Sequence, residues 1–137
     1  WIIFWKGWQE MPNWVYFSRK EMECKGTGEC DMDERFMSRL IKVREKYNKP
    51  MIITSGFRHP AHNMVVGGAR NSPHTQGKAA DIHIVGKDAY RLIRIAIEAG
   101  MTGIGISQRG PHEKRFIHLD DMDNSGEHPR PWIWSYK

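Results

Sequence analysis

The sequence predicts an α+β fold in which a small, mainly antiparallel sheet carries the chemistry and two main helices pack on it. Three observations point there. Apolar residues recur at helical spacing in two stretches, Phe36, Leu40, Val43 and Tyr47, then Ala89, Leu92, Ile93 and Ala96. Short runs such as Asp81-Ile82-His83-Ile84 and Phe116-Ile117-His118-Leu119-Asp120 alternate as strands do. The segment between Ile106 and Arg115 carries Gly110 and Pro111, the punctuation of a hairpin turn.

In chain order, residues 1–16 hold Trp1, Trp5, Trp8 and Trp14 and read as an aromatic strap over the core. Asp31, three residues before Glu34, resembles a capping box, so a helix is expected over about Asp33–Tyr47. Met51–Thr54 reads as a short buried strand, broken by Gly56, which delivers Arg58 to a strand end. With its Pro, Gly and Asn content, His59–Gly77 reads as mostly irregular. The strand Asp81–Ile84 turns Asp81 and His83 to one face and the two isoleucines to the core. A second helix is expected over Lys87–Ala99, capped by Gly100. Thr102–Ile106 and Arg115–Leu119 form the hairpin around Ser107–Lys114, and Pro131–Ser135 adds an edge strand.

The chain of 137 residues suits one domain, 1–137, that can bury a core without staples. It contains no run of 18 apolar residues, and the opening Trp1–Trp5 is too short and aromatic for a signal peptide; a monomer without stable membrane insertion is expected. A balance of 21 basic and 16 acidic side chains gives a net charge of +5, which favours anionic surroundings. No basic stripe interleaves with aromatics, which argues against nucleic acid as a partner. Cys24 and Cys30 are the only cysteines, too few for a four-thiolate zinc site; whether they form a disulfide is left open.

The chemistry concentrates in two segments. In Ser72-Pro73-His74-Thr75-Gln76-Gly77-Lys78-Ala79-Ala80-Asp81, a His and an Asp lie seven positions apart, and His118 sits in the later apolar strand. Two neutral imidazoles and a carboxylate are the donor set of a catalytic zinc, because three protein ligands leave a fourth tetrahedral position open. Ser55-Gly56-Phe57-Arg58 and Gly67-Gly68-Ala69 precede them in order.

Together these motifs resemble the zinc D-alanyl-D-alanine peptidase family, whose relatives include vancomycin-resistance dipeptidases, phage endolysins and the hedgehog signalling domain. The family pattern SxHxxGxAxD falls on Ser72, His74, Gly77, Ala79 and Asp81, and HxD falls on His118 and Asp120. The resemblance implies Zn2+ held by His74, Asp81 and His118, with Arg58 on the substrate's carbonyl or terminal carboxylate. It implies a peptidoglycan stem peptide as substrate, cut at a terminal D-alanine or at an internal bond, and action at the bacterial cell wall. The readings to weigh against it are a zinc-holding domain that only binds a partner, and a cell-wall amidase.

Several family members carry Asp or Glu three residues before the second His, but this chain has Arg115, which cannot act as a base at neutral pH. Asp120 is the alternative, either as base or as a group that orients a ligand. Glu113 and His112, in the preceding turn, are further candidates. Ser72, Asn63 and His83 are candidate substrate contacts, and His59, His62 and His128 read as loop residues.

Overall fold

A computed structural model describes residues 14–137. The expected strap over residues 1–16 lies outside the described residues up to position 13; Trp14 itself is buried and packs in the core. A four-residue helix α1 (Arg19–Met22) starts at Ser18, whose side chain and Glu21 cap each other reciprocally. Helix α2 spans Glu34–Tyr47. Its N-cap is Asp33, which accepts from the Phe36 N–H; Asp31 does not cap it, because the first free amides face the side chain next to them.

Strand β1 (Ile52–Ser55) follows, then a short helix α3 (Pro60–Val65) and a 3₁₀ turn at Pro73–Gln76. The stretch from His59 to Gly77 is therefore more regular than its composition suggests. His59 caps α3 through Nδ1 and Pro60 starts it, and Ser72 with Pro73 does the same for the turn. Strand β2 (Ala79–His83), helix α4 (Gly86–Glu98), strand β3 (Gly103–Ser107), a 3₁₀ turn at His112–Lys114, strand β4 (Phe116–Asp120) and strand β5 (Trp132–Ser135) complete the described fold. Gly100, at φ +97°, takes the left-handed position just past α4.

The strands form one sheet in the order β1-β2-β4-β3-β5, antiparallel except for β3 with β5. β1 is an edge strand, not a fully buried one: Ile53 points into the core while Ile52 is 59% exposed. Two cross-sheet rows explain the rest. Ile53, Ile82, Ile117 and Ile106 pair across four strands on the core side, where Phe36, Leu40, Val43, Leu92 and Ala96 of the two long helices meet them. The neighbouring row, Ser55, Asp81, His118, Gly105 and Trp134, lies on the opposite face. A register irregularity between Ile53 and Ser55 sets Ser55 opposite Asp81. Among the described residues, no helix is long and apolar enough to cross a membrane.

Candidate metal centre and cleft

Period-two alternation puts Asp81 and His118 side by side on neighbouring strands, and the 3₁₀ turn carries His74 over them. Ser72 shapes that turn by accepting from the His74 N–H at 3.3 Å, while the turn's backbone is tied to the exit of β1 by Arg58 N–H donating to His74 O at 3.1 Å. Three donor atoms converge: His74 Nε2 lies 3.2 Å and His118 Nδ1 3.1 Å from the same oxygen, Oδ1 of Asp81. All three residues are buried, at 2%, 3% and 8% exposure.

The outer nitrogens decide the tautomers. His74 Nδ1 is 2.7 Å from the Gly56 carbonyl, and His118 Nε2 is 2.7 Å from the Asp120 carboxylate. Both partners only accept, so both outer nitrogens carry hydrogen. Neutral rings then present two lone pairs to a carboxylate oxygen, an arrangement that demands a cation between them. The three ligand atoms lie within 4.8 Å of one another, and the His/Asp/His donor set with two hydrogen-bonded outer nitrogens fits zinc.

Electrostatics agree. Burial alone would raise the Asp81 carboxyl, but His74 and His118 outweigh it and hold it well below the usual carboxylate range. Burial also works against a charged His118, yet its hydrogen bonds to Asp120 and Asp81 raise its pKa.

The Asp120 carboxylate is fully engaged within the protein. It is 0% exposed and sits behind His118, and its four acceptor positions are taken. Oδ2 accepts from His118 Nε2 and, at 2.9 Å, from Arg130 Nη2; Oδ1 accepts from Arg130 Nε at 2.9 Å and from Met122 N–H at 3.2 Å. Desolvation opposes ionisation here, but His118 and Arg130 hold the carboxyl at about 2. Of the two roles open to Asp120, base or orienting group, this geometry suits the orienting one, since none of its acceptor positions is left for a water proton.

Arg58 lies at the rim, with Nη2 3.5 Å from Asp81 Oδ2, Nε 3.3 Å from Ser55 Oγ and Nη1 3.0 Å from Asn63 Oδ1. Asn63 is buried behind it and spends its amide N–H on Ala69 O at 2.9 Å, so it supports Arg58 and the loop rather than facing a substrate. Gly68 is required at that contact, since a side chain there would run into Asn63 Oδ1 and Arg58 Nη1. Cys24 and Cys30 are not joined; the Cys24 thiol instead accepts from the His59 N–H at 3.4 Å.

A cleft of about 460 Å³ opens over the centre, lined by Arg58, Ser72, His74, Asp81 and His118 on one side. The other side is made by Glu127, His128, Arg130, Trp132, Trp134 and Tyr136, which the motifs did not single out for the site. The aromatic residues at 132, 134 and 136 share one face of an edge strand, and that two-residue spacing was the legible signal. Trp134 lies 5.1 Å from His118, ring to ring, over Gly105, where a side chain would strike both Trp134 and Tyr136. Glu113, His112 and His83 do not line the cleft. The first two belong to an exposed turn, and His83 Nδ1 is turned to the Arg115 carbonyl at 2.9 Å.

No curated protein was found to match the chain. The family model described as Peptidase M15 matches residues 15–120, more than three quarters of the sequence and all three residues of the metal centre. The chain belongs to the Peptidase M15 family, the zinc metallopeptidases of the D-alanyl-D-alanine carboxypeptidase type.

Proposed function

We propose that this chain hydrolyses peptide bonds in the stem peptides of peptidoglycan, as a D-alanyl carboxypeptidase or endopeptidase acting at the cell wall. The observation that carries the reading is the buried His74–Asp81–His118 centre with Arg58 beside it at the mouth of a cleft. Zinc held by these three side chains supplies Lewis acidity and an activated water at neutral pH. Asp120 locks the His118 ring so that its Nδ1 faces the centre, and the Gly56 carbonyl does the same for Nε2 of His74. Arg58 presents a planar fork beside Asp81, suited to a carbonyl oxygen or a terminal carboxylate. Phe116, Trp132, Trp134 and Tyr136 form an apolar wall of the cleft against which a peptide's side chains can pack.

For proton transfer the cleft offers His128. Its Nε2 lies 2.9 Å from the Asn71 carbonyl and so carries hydrogen, which leaves Nδ1 as a free acceptor. Glu127 beside it is held by Asn71 Nδ2 at 2.8 Å. Arg115 at the place where relatives carry an acid favours a second reading, a zinc-holding domain that binds wall peptides without cutting them. Mass spectrometry of purified peptidoglycan after incubation separates the readings. Free D-alanine or stem-peptide fragments support the proposal, whole stem peptides freed from glycan indicate an amidase, and an unchanged wall with zinc bound indicates the binding domain.

A further inference from the structure

We infer that Arg130 is a positioning residue for the metal centre, acting through Asp120 on His118, so that the segment following the family-matched region sets how tightly zinc is held. The inference rests on zinc binding by His74, Asp81 and His118.

Arg130 lies ten residues beyond His118's partner Asp120, outside residues 15–120, yet its guanidinium reaches back to the buried carboxylate with two parallel bonds of 2.9 Å. The third nitrogen, Nη1, donates to Pro129 O at 2.8 Å, and the Arg130 N–H donates to Asn124 Oδ1 at 2.9 Å, so both ends of the residue are anchored. Its side chain is 6% exposed and lies over the Trp134 ring at 5.2 Å, while Trp134 in turn contacts His118. Two routes therefore join Arg130 to the same imidazole, one through a carboxylate and one through an indole.

The backbone is built for this arrangement. At Gly103, opposite Asp120 on β3, any side chain would collide with both carboxylate oxygens, so the strand leaves Asp120 the space in which Arg130 meets it. A two-pronged pair fixes the plane of the carboxylate, and that plane fixes the direction of the His118 Nε2–H bond. Nδ1 belongs to the same rigid ring, so the direction of its lone pair is set together with that bond. Removing the guanidinium leaves half of the carboxylate's acceptor positions unfilled in a dry site, and the carboxylate then turns to find other donors. A partner that acts on a ligand in this way typically changes metal affinity by about 10- to 100-fold when lost.

The test uses the full chain with Arg130→Gln and Arg130→Lys, alone and with Asp120→Asn, and reads zinc affinity by competition with a chromophoric chelator and ligand-field bands after cobalt(II) substitution. Wild-type protein that binds no zinc would overturn the triad itself, which is a separate failure. Expected are a loss of about 10- to 100-fold in Arg130→Gln with altered cobalt bands, partial recovery in Arg130→Lys, and no further loss when Arg130→Gln is added to Asp120→Asn. Affinity in Arg130→Gln within about twofold of wild type, or losses that add in the double variant, overturns the inference. Should Arg130→Gln fail to fold by circular dichroism, Arg130→Lys decides: it keeps the charge and loses the fork, so wild-type affinity and cobalt bands there refute the orienting role.

Discussion

Asp120→Asn separates an orienting carboxylate from a catalytic base, and the structure sets the size of the effect. All four contacts of the Asp120 carboxylate are donors: His118 Nε2 and Arg130 Nη2 on Oδ2, Arg130 Nε and Met122 N–H on Oδ1. Whichever way an amide is turned, its NH₂ meets two of them. Arg130 also loses its anionic partner while its side chain remains 6% exposed. Stranding one member of a buried pair costs about 3–5 kcal/mol. A carboxyl held at about 2, against 3.8 when unperturbed, accounts for roughly 2–3 kcal/mol by itself. The substitution exceeds that figure because it leaves the guanidinium uncompensated as well.

For a chain of this length each kcal/mol moves Tm by roughly 3–5 °C, so Asp120→Asn should melt about 10–20 °C below wild type. The pH dependence has a definite sign. Because the folded pKa is depressed, the contribution is fully present above 3.8 and is lost as pH falls toward about 2. The gap between wild type and variant should therefore narrow over that interval. Thermal melts of the metal-free proteins followed by circular dichroism, with zinc content measured in parallel, make the assay. A variant that melts with wild type, retains zinc and loses about 10²- to 10⁴-fold in rate would make Asp120 the proton acceptor and refute the buried-pair argument.

His74→Ala and His118→Ala should each abolish stoichiometric zinc, read by metal analysis of the purified chain; full retention in either would show that the ligand set is wrong. Arg58→Ala should lower kcat by about 10²- to 10³-fold on wall peptides with zinc unchanged, and Arg58→Lys should recover only part, whereas wild-type kinetics would return Arg58 to a structural ion pair. His128→Ala should lose about 10²- to 10⁴-fold in rate with zinc retained, and the opposite pattern, a silent His128→Ala beside an inactive Glu127→Gln, would move the base to Glu127. Since the His118 pKa is raised above 6.5 and zinc needs the Nδ1 lone pair, affinity should increase with pH until that pKa is passed. Titration calorimetry near pH 6 in buffers of different ionisation enthalpy should show proton release, and buffer-independent heats would contradict it.

Local pattern made much of this protein legible. Helical spacing at Phe36, Leu40, Val43 and Tyr47 is a property of 3.6 residues per turn, and α2 follows it to the last residue. Alternation in Asp81–Ile84 and Phe116–Asp120 likewise sorts Ile82, Ile117 and Leu119 to the core and Asp81 and His118 to the other face, whatever the neighbours are. The short motif around His74 held enough chemistry to mark a metal centre, because donor type and spacing are local. What lay beyond reach depended on contacts between distant segments. The direction of the Asp120 side chain is set by Arg130 arriving from ten residues on, and strand alternation cannot foresee that a carboxylate on a strand will be enclosed behind its neighbour. His128 read as a loop residue, and Glu127 drew no notice, because nothing in their own segment reveals that Asn71, more than fifty residues earlier in the chain, binds both of them. Sequence determined which side chains could do chemistry and on which face they stand; the tertiary fold decided which of them see the cleft and which are buried behind the metal centre, because burial and pairing of charges arise only where separate parts of the chain meet.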